Sequence, residues 1–475
     1  MAVPSMEDWQ WPPAYDATYL PPPDQQCWFP VRETMDFERR EAAILERIRK
    51  VMEYAFTRSS FYKRKWTNAG IEPADIRSMD DFEQVPVVTK EELRQAQLEH
   101  PPFGDYLCIP ENEILRIHGT SGTTGRPTAF AIGRQDWASI AESHGRVMWG
   151  MGIRPGDMVF VGAVFSLYMG SWAVLLGAER IGAKAFPFGA GAPGQTMRAV
   201  NWILQMQPSA LYGTPSYALR IAEVAQESNV DPHDFGIRTL FFSGEPGASI
   251  PSMRRKLEET YGARVFDSGS MGEMTPWMNL GETTGHDGML CWQDMVYTEV
   301  VDPATNRRQP YGGEGTPVYT HLERTSQPMI RLLSGDLTRW ELGPTQCGRT
   351  YPYLPKGIYG RIDDQFTIRG ENVYPSAIAE VVTGLAQYGG EHRIVISREE
   401  AMDTLVVQVE YSADIDGQES AIEKFRDQAK VALRTTLGVN TEVVPVPGNT
   451  LERADHKSSR VLDRRDLFRE VTTAQ

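Results

Sequence analysis

Between residues 158 and 267 five short β-branched or aromatic runs alternate with four helical stretches, and no other feature of the chain constrains its fold as tightly. The runs are MVFVGAV (158–164), KAFPF (184–188), ALYG (210–213), TLFFS (239–243) and RVFD (264–267). Between them lie 171–182, TMRAVNWILQMQ (196–207), PSYALRIAEVAQE (215–227) and SIPSMRRKLEETYG (249–262). Strands linked by helices of this length need right-handed crossovers, so a mostly parallel sheet is predicted. Each run is followed by a small, polar, glycine-rich segment: FSLYMG, GAGAPG, GTPS, SGEPGA and SGSMGE. The carboxyl ends of parallel strands line one crevice, where ligands bind. Five such segments on one rim predict a broad cleft walled by backbone.

The same stretch holds a membrane alternative. Residues 158–178 carry no charge over 21 positions, long enough to span a bilayer. Their order is β-branched, then turn-like, then helical, which reads as a buried strand, a loop and a helix. With 475 residues the chain exceeds one ordinary core, so two or three domains are expected. Residues 285–360 hold short β-like runs (MVYTEVV, TPVYTHL, PMIRLL) broken by Gly and Pro, a β-rich region flanking the sheet. The carboxy-terminal stretch has an α+β pattern of its own: a hairpin in HRIVISREEAMDTLVVQVEYS, an amphipathic helix in AIEKFRDQAKVALRTTLGV and a strand in NTEVVPV. GIYGRIDDQFTIRG (357–370), with glycine at both ends and charges in the middle, marks the junction. The predicted organisation is an α/β chain: a large doubly wound amino-terminal domain over 1–360, a hinge at 361–364 and a small α+β domain over 365–475.

The first 28 residues carry acids and prolines where a signal peptide has a basic and then an apolar stretch. They read as an irregular surface arm, with a cytoplasmic location as the default. A net charge of −15 argues against nucleic acid or an anionic membrane as partner, while a local basic pocket can still take a small anion. Cys27, Cys108, Cys291 and Cys347 form no CxxC pair, so neither a disulfide framework nor a zinc cluster is indicated. His286, shortly before Cys291, stands as half of a metal site or as a satisfied structural histidine.

RIHGTSGTTGRPT (116–128) gathers hydroxyls and glycines between Arg116 and Arg126. Glycine lets backbone N–H groups approach a polyphosphate closely, and TSGTTG could present several at once. The GxxxxGK[ST] spacing of a Walker loop is absent. As a bare pattern the stretch is equally an ordinary soluble loop. With the segments downstream, the chain resembles the adenylate-forming acyl-CoA synthetases, most closely the phenylacetate–CoA ligase group. GAERIG (177–182), GTPSYAL (213–219), SGEPGA (243–248), QPMIRLLSGDLTRW (327–340), GRIDDQFTIRGENVYPSAIAE (360–380) and ERADHKSSRVLDRR (452–465) follow in that group's order, and the resemblance covers roughly residues 35–470.

That resemblance implies a two-step reaction using ATP, Mg2+ and coenzyme A, in which a carboxylic acid becomes an acyl-adenylate and then a thioester. It implies that Thr120, Ser121, Gly122, Thr123, Thr124 and Gly125 cradle the phosphates, with Arg126 where many relatives have Lys. Glu273 matches the magnesium-associated carboxylate. Asp336 would bind the ribose hydroxyls, Arg361 the ribose or α-phosphate, and Gly244, Glu245 and Pro246 the adenine edge. Lys457 matches the lysine that bridges carboxylate and α-phosphate. The small domain would be mobile, pivoting at Asp363, with Arg369 and Gly370 helping to form a coenzyme A tunnel. A homodimer is also implied.

Two departures stand out. The tyrosine that stacks on adenine in many relatives is missing from Gly269-Ser270-Met271-Gly272-Glu273, and His456 replaces the usual Gly before the catalytic Lys. Taken singly, Glu245 or Glu273 reads equally as a helix-capping carboxylate, Asp336 and Arg361 as an ion pair, and Lys457 as one charge on a solvated face. The acid pocket is expected around Phe165, Ser166, Tyr168, Met169 and Trp172, with Tyr212 and Gly213 opposite. Tyr168 and Trp172 add bulk and hydrogen-bond donors. A small, branched or 2-hydroxylated acid such as 2-hydroxyisobutyrate is therefore the expected substrate. The alternatives are an arylacetate or aryl acid, a stand-alone enzyme loading a carrier protein, and a non-catalytic nucleotide sensor.

Overall fold

The computed structural model describes residues 11–120, 128–189, 195–245, 247–274, 278–361, 366–368, 371–373, 375–399, 402–451 and 460–463. The chain divides into two compact units, one of residues 1–249 and 257–358, the other of 250–256 and 359–475. The first begins with helices α1 (Pro30–Glu33), α2 (Phe37–Arg58), α3 (Ser60–Asn68), α4 (Met79–Glu83) and α5 (Lys90–Glu99). A hairpin of β1 (Ile114–Thr120) and β2 (Thr128–Gly133) leads into α6 (Arg134–Gly150). The predicted alternation follows as β3 (Met158–Val161), α7 (Met169–Ile181), β4 (Lys184–Phe186), α8 (Thr196–Met206), β5 (Ala210–Gly213), α9 (Pro215–Glu227), β6 (Thr239–Phe242), α10 (Pro251–Tyr261) and β7 (Arg264–Gly269). Short strands complete the unit: β8 (Leu280–Gly281), β9 (Met289–Cys291), β10 (Val296–Val301), β11 (Glu314–His321), β12 (Leu332–Leu333), β13 (Asp336–Arg339) and β14 (Tyr353–Leu354).

Five parallel strands run β4-β3-β5-β6-β7, and β8, β9 and β14 extend the sheet antiparallel beyond β7. Every residue of β5 and β6 is buried, as strands covered on both faces require. Because β4 lies on one side of β3 and β5 on the other, the winding reverses there. The crevice of such a sheet opens outside the carboxyl ends of β3 and β5. The uncharged run 158–178 is therefore strand, loop and helix, and among the described residues no helix is long and apolar enough to cross a membrane.

Two expectations are corrected. MVFVGAV is strand only over Met158–Val161: the Gly162 N–H makes the last ladder bond to β5, to the Tyr212 carbonyl at 2.7 Å, and the chain leaves the sheet after it. PMIRLL is strand only at Leu332–Leu333. Arg331 sits at φ +53°, a left-handed conformation uncommon outside glycine. Its buried guanidinium donates to Glu299 at 3.2 and 3.3 Å and to the carbonyls of Val85 and Asn306. The remaining runs form an antiparallel sheet in which β10, β12 and β13 all pair with β11.

Over its described residues the amino-terminal arm is irregular and largely exposed, as expected, but aromatic side chains anchor it to the core. Trp28 and Phe29 are fully buried, and Trp11, Tyr15 and Tyr19 pack on the same core. Trp28 donates its indole N–H to Glu142 at 2.8 Å, and the Tyr15 hydroxyl donates to Glu323. Glu33 at the end of α1 receives Arg349 at 2.8 Å, while Arg146 of α6 binds Asp294 at 3.0 Å. With partners this deep, removing one costs about 3–5 kcal/mol because the other is left charged and dry.

The second unit holds β15 (Gly360–Arg361), β16 (Phe366–Ile368), β17 (Glu371–Val373), α11 (Pro375–Thr383), β18 (Tyr388–Glu399), β19 (Met402–Tyr411), α12 (Glu419–Leu437), β20 (Glu442–Pro447) and β21 (Val461–Asp463). The sheet order is β20-β19-β18-β21, with the predicted hairpin β18–β19 at its centre and parallel strands outside. Ile394, Ile396, Leu405, Val407, Phe425 and Leu433 form its core. Each contributes roughly 1.5–3 kcal/mol on burial, enough for a separate core.

Candidate active site

The hairpin β1–β2 fixes where the predicted phosphate loop begins and ends. Its register runs from Ile117↔Ala131 to Thr120↔Thr128, so residues 121–127 connect the closing pair. Ser121, Gly122, Thr123, Thr124, Gly125 and Arg126 lie outside the described residues, as does the side chain of Thr120. The strands leading to them are tightly held. The side-chain amide of Gln97 receives the Ala129 N–H at 3.1 Å and donates to the Ala129 carbonyl at 2.6 Å. Gln327 receives the Ala131 N–H at 2.8 Å. On β1, the Gly119 N–H and His118 Nδ1 both bond the Leu167 carbonyl at 3.1 Å, so Nδ1 carries the proton. Burial, opposed by that bond, lowers the His118 pKa and keeps the ring neutral.

Leu167 belongs to the loop after β3, at the sheet's winding reversal. Here Gly162 and Gly213 bring the two chains together: a β-carbon on Gly213 would lie 3.1 Å from the Gly162 carbonyl. Tyr168 folds back over Gly170, where a β-carbon would meet its hydroxyl at 2.4 Å. Its hydroxyl reaches the loop after β6, 3.6 Å from a β-carbon placed on Gly244. Beside it the Tyr212 hydroxyl and Ser243 Oγ are 2.5 Å apart. Burial first, and then the neighbouring Tyr168 hydroxyl, push the Tyr212 phenol well above its ordinary range, so it stays protonated. Two rim-loop hydroxyls, Tyr168 and Ser243, thus meet the hydroxyl of Tyr212, which rises from the buried strand β5.

Trp172 does not add a donor to this group, contrary to expectation. Its indole N–H is committed to the Ser166 carbonyl at 3.0 Å. Phe165 meets its ring edge-on at 5.1 Å, and the Arg116 guanidinium lies 5.2 Å from it and 4.2 Å from the Trp137 ring. Trp172 is a wall. Ser166 supports the loop, its Oγ accepting the Tyr168 N–H at 3.3 Å.

Glu273 closes the rim after β7, on a single 3-10 turn at Gly272–Met274. Its side chain is 9% exposed and its carboxylate lies 3.9 Å from the Lys90 ammonium. Lys90 opens α5, whose start is set by a Thr89–Glu92 capping box. Arg324 donates to the Glu273 carbonyl at 3.1 Å. His321 Nδ1 accepts the Met329 N–H at 3.0 Å, so its protonated Nε2 donates to the Met274 carbonyl at 3.1 Å. Burial and the Arg324 charge drive the His321 pKa well down, consistent with a neutral ring.

The remaining predicted residues divide. Glu245 accepts the Ser216 N–H at 2.8 Å at the start of α9, the capping role open to it from sequence. Gly244 is exposed at φ +92°, and Pro246 lies outside the described residues. Asp336 begins β13 half-buried, its N–H on Ser334 Oγ at 3.1 Å, and its charge contributes to raising the pKa of buried Tyr319. Arg361 ends β15, with its side chain outside the described atoms. Asp363, Arg369, Gly370 and Lys457 lie outside the described residues, but the chain on either side of 452–459 is fixed. Leu451 gives its N–H to Glu410 at 2.9 Å, and Arg460 binds Glu391 at 2.6 Å. His286 stacks on Phe266 at 5.0 Å and its Nε2 accepts from Arg264 at 3.2 Å, a structural histidine, and Cys291 is buried in β9. Among the described residues no three His, Cys, Asp or Glu side chains group to hold a metal.

Lys90 and Ser243 were missed as site residues. Ser243 follows β6 within SGEPGA, so the rim rule alone could have selected it. Lys90 carries no local signal; it reaches Glu273 only through tertiary packing.

Comparison with known proteins fits this geometry. Residues 48–319 match the AMP-binding enzyme family and residues 370–465 the AMP-binding enzyme C-terminal domain. Phenylacetate-coenzyme A ligase of Pseudomonas putida is 31% identical over 435 residues, 91% of this chain and 96% of that protein. A crystal structure of 2-hydroxyisobutyryl-CoA ligase in the postadenylation state with 2-HIB-AMP is 58% identical, covers 98% of each chain and superposes with a TM-score of 0.94. The same enzyme with 2-HIB-AMP and CoA in the thioesterification state, at 58% identity and 98% coverage of each chain, gives 0.75. The chain belongs to the AMP-binding enzyme family, among its AMP-forming CoA ligases.

Proposed function

We propose that this chain activates a small, branched or 2-hydroxylated acid, 2-hydroxyisobutyrate being the concrete case, and transfers it to coenzyme A. The observation that carries this reading is the convergence of Tyr168, Tyr212 and Ser243 hydroxyls at the crevice, beside the wall formed by Trp172. A buried hydroxyl pair discriminates strongly against a ligand lacking its partner group. The likeness to 2-hydroxyisobutyryl-CoA ligase supports the same acid. An arylacetate is the second reading, favoured by the relatives named phenylacetate-coenzyme A ligase. Pyrophosphate release across a panel of acids, with and without coenzyme A, tests both. Highest kcat/KM with 2-hydroxyisobutyrate supports the first, highest with phenylacetate the second.

In adenylation the acid's carboxylate oxygen attacks the α-phosphorus and pyrophosphate leaves. The protein's part is positioning and charge. Residues 120–125 hold the phosphate tail on the pinned hairpin, and Asp336 holds the ribose. With Glu245 spent in part on α9, the backbone at 244–246 is the adenine contact. Glu273 offers one hard oxygen, which suits Mg2+, an ion that takes its other ligands from phosphates and water. Glu273 would hold the ion, which when bound would supply positive charge to the phosphates, and the Lys90 ammonium adds its own from the neighbouring position. Lys457 stabilises the charge that builds on the α-phosphate and carboxylate, with Arg361 beside the ribose. The coenzyme A thiol then attacks the acyl carbon and AMP leaves. For that step the small domain turns about Asp363 and brings Arg369 and Gly370 to the cleft. A cytoplasmic homodimer is part of the same reading, and its mass in solution checks the dimer.

A further inference from the structure

The segment His321–Gln327 leaves the end of β11 and runs through the interior with every side chain buried. Two sets of its polar contacts bear on the cleft. His321 and Arg324 bind the carbonyls of Met274 and Glu273. Arg324 Nη2 and Ser326 Oγ donate to the Ala131 carbonyl at 3.4 and 2.8 Å, and Gln327 receives the Ala131 N–H. Ala131 lies in β2, the strand that leaves the phosphate loop. Asp136 locks the segment, accepting the N–H groups of Thr325 and Ser326 at 2.7 and 2.8 Å.

We propose that Arg324 is a positioning residue for adenylation: its guanidinium ties the carbonyl of Glu273 to the carbonyl of Ala131. The carboxylate turn and the phosphate hairpin thereby keep one spacing. An arginine that only balanced charge would aim its fork at a carboxylate. Both terminal nitrogens here go to backbone carbonyls, which fixes where the backbone sits and leaves the Glu273 carboxylate to Lys90 and the cleft. The proposal rests on the reading of Glu273 as the phosphate-side carboxylate. Reacting groups tolerate misplacement of only a fraction of an ångström, so a rigid link between the two elements acts on nucleotide binding and rate without itself touching substrate.

Arg324→Lys keeps the charge but supplies a point donor that cannot span two carbonyls. The expected result is an ATP–pyrophosphate exchange rate lowered on the order of 10–100-fold, with thioester formation from supplied acyl-adenylate changed less than about 3-fold. Calorimetric titration with Mg2+ and ATP, without acid, should show weakened binding. His321→Asn keeps an acceptor for Met329 but cannot reach Met274, and should shift both readouts the same way by less. It also serves if Arg324→Lys fails to fold, as judged by thermal unfolding. Glu273→Gln separates the two readings. If it leaves exchange intact, the reading of Glu273 is wrong and the proposal goes with it. If it impairs exchange, Arg324→Lys should add little in the Glu273→Gln background. A full additive loss there, or equal losses in both half-reactions, overturns the positioning role.

Discussion

Replacing Gly119 with alanine places a methyl group 2.6 Å from the carbonyl oxygen of Thr128, the residue at which β2 begins. Ordinary contact starts at 3.4 Å, so the strands must part by about 0.8 Å at the pair next to the phosphate loop. The obstacle is backbone, so no side chain can swing away. Nor can β1 slide freely, since the Gly119 N–H is bound to Leu167 at 3.1 Å and would drag the acid loop with it. A misplacement of this size in a positioned phosphate costs on the order of 30–100-fold in rate. The same overpacking destabilises the fold by about 1–3 kcal/mol, small enough for the protein to remain folded. ATP–pyrophosphate exchange should fall by that factor, while thioester formation from supplied acyl-adenylate falls less than about 5-fold. Gly343→Ala, whose new methyl meets nothing within 4 Å, is the control. A folded Gly119→Ala protein exchanging at the parent rate would refute the claim that this hairpin sets the phosphate position.

Tyr168→Phe removes the hydroxyl that joins the Tyr212–Ser243 pair. It should lower kcat/KM for 2-hydroxyisobutyrate by about 10–100-fold and that for isobutyrate by less than about 3-fold, and an equal loss for both acids contradicts hydroxyl recognition. Lys457→Ala should slow acyl-adenylate formation by at least ~100-fold and thioester formation much less; equal losses argue against a lysine used in one half-reaction. Buried His144 has its pKa lowered to about 4 by desolvation. Since the unfolded chain takes up that proton near pH ~6.5, its contribution to stability is complete above that pH and is lost as pH falls toward about 4. His144→Asn, which keeps a donor for the Ile140 carbonyl, should flatten the fall of Tm over that window, and an unchanged slope refutes the assignment.

Much of the fold was legible because its periodicity is local. The strands near Met158, Ala210 and Thr239 announce themselves by β-branched and aromatic runs, and the winding of helices between them leaves little choice of topology. What escaped detection lacks a period. β8, β9 and β14 are two or three residues long and owe their pairing to the edge of β7. The prolines and acids of the arm mark it as surface, which most of its described residues are, but nothing local shows that Trp28 and Phe29 anchor it in the core. In the site, rim loops were readable and partners were not. Nothing local marks Lys90 as the neighbour of Glu273, and the sequence shows Trp172 as a donor but not that Ser166 takes its N–H. Side-chain direction decides both, and it is a tertiary property.

A single-turnover experiment bears most directly on the central claim, that one crevice first makes an acyl-adenylate and then a thioester. Enzyme in excess is mixed with labelled ATP, Mg2+ and 2-hydroxyisobutyrate, quenched without coenzyme A, and in parallel chased with it. The account predicts pyrophosphate and bound acyl-adenylate before coenzyme A is added, with AMP and thioester appearing after the chase. Pyrophosphate that appears only once coenzyme A is present, or an adenylate that the thiol cannot discharge, would contradict it.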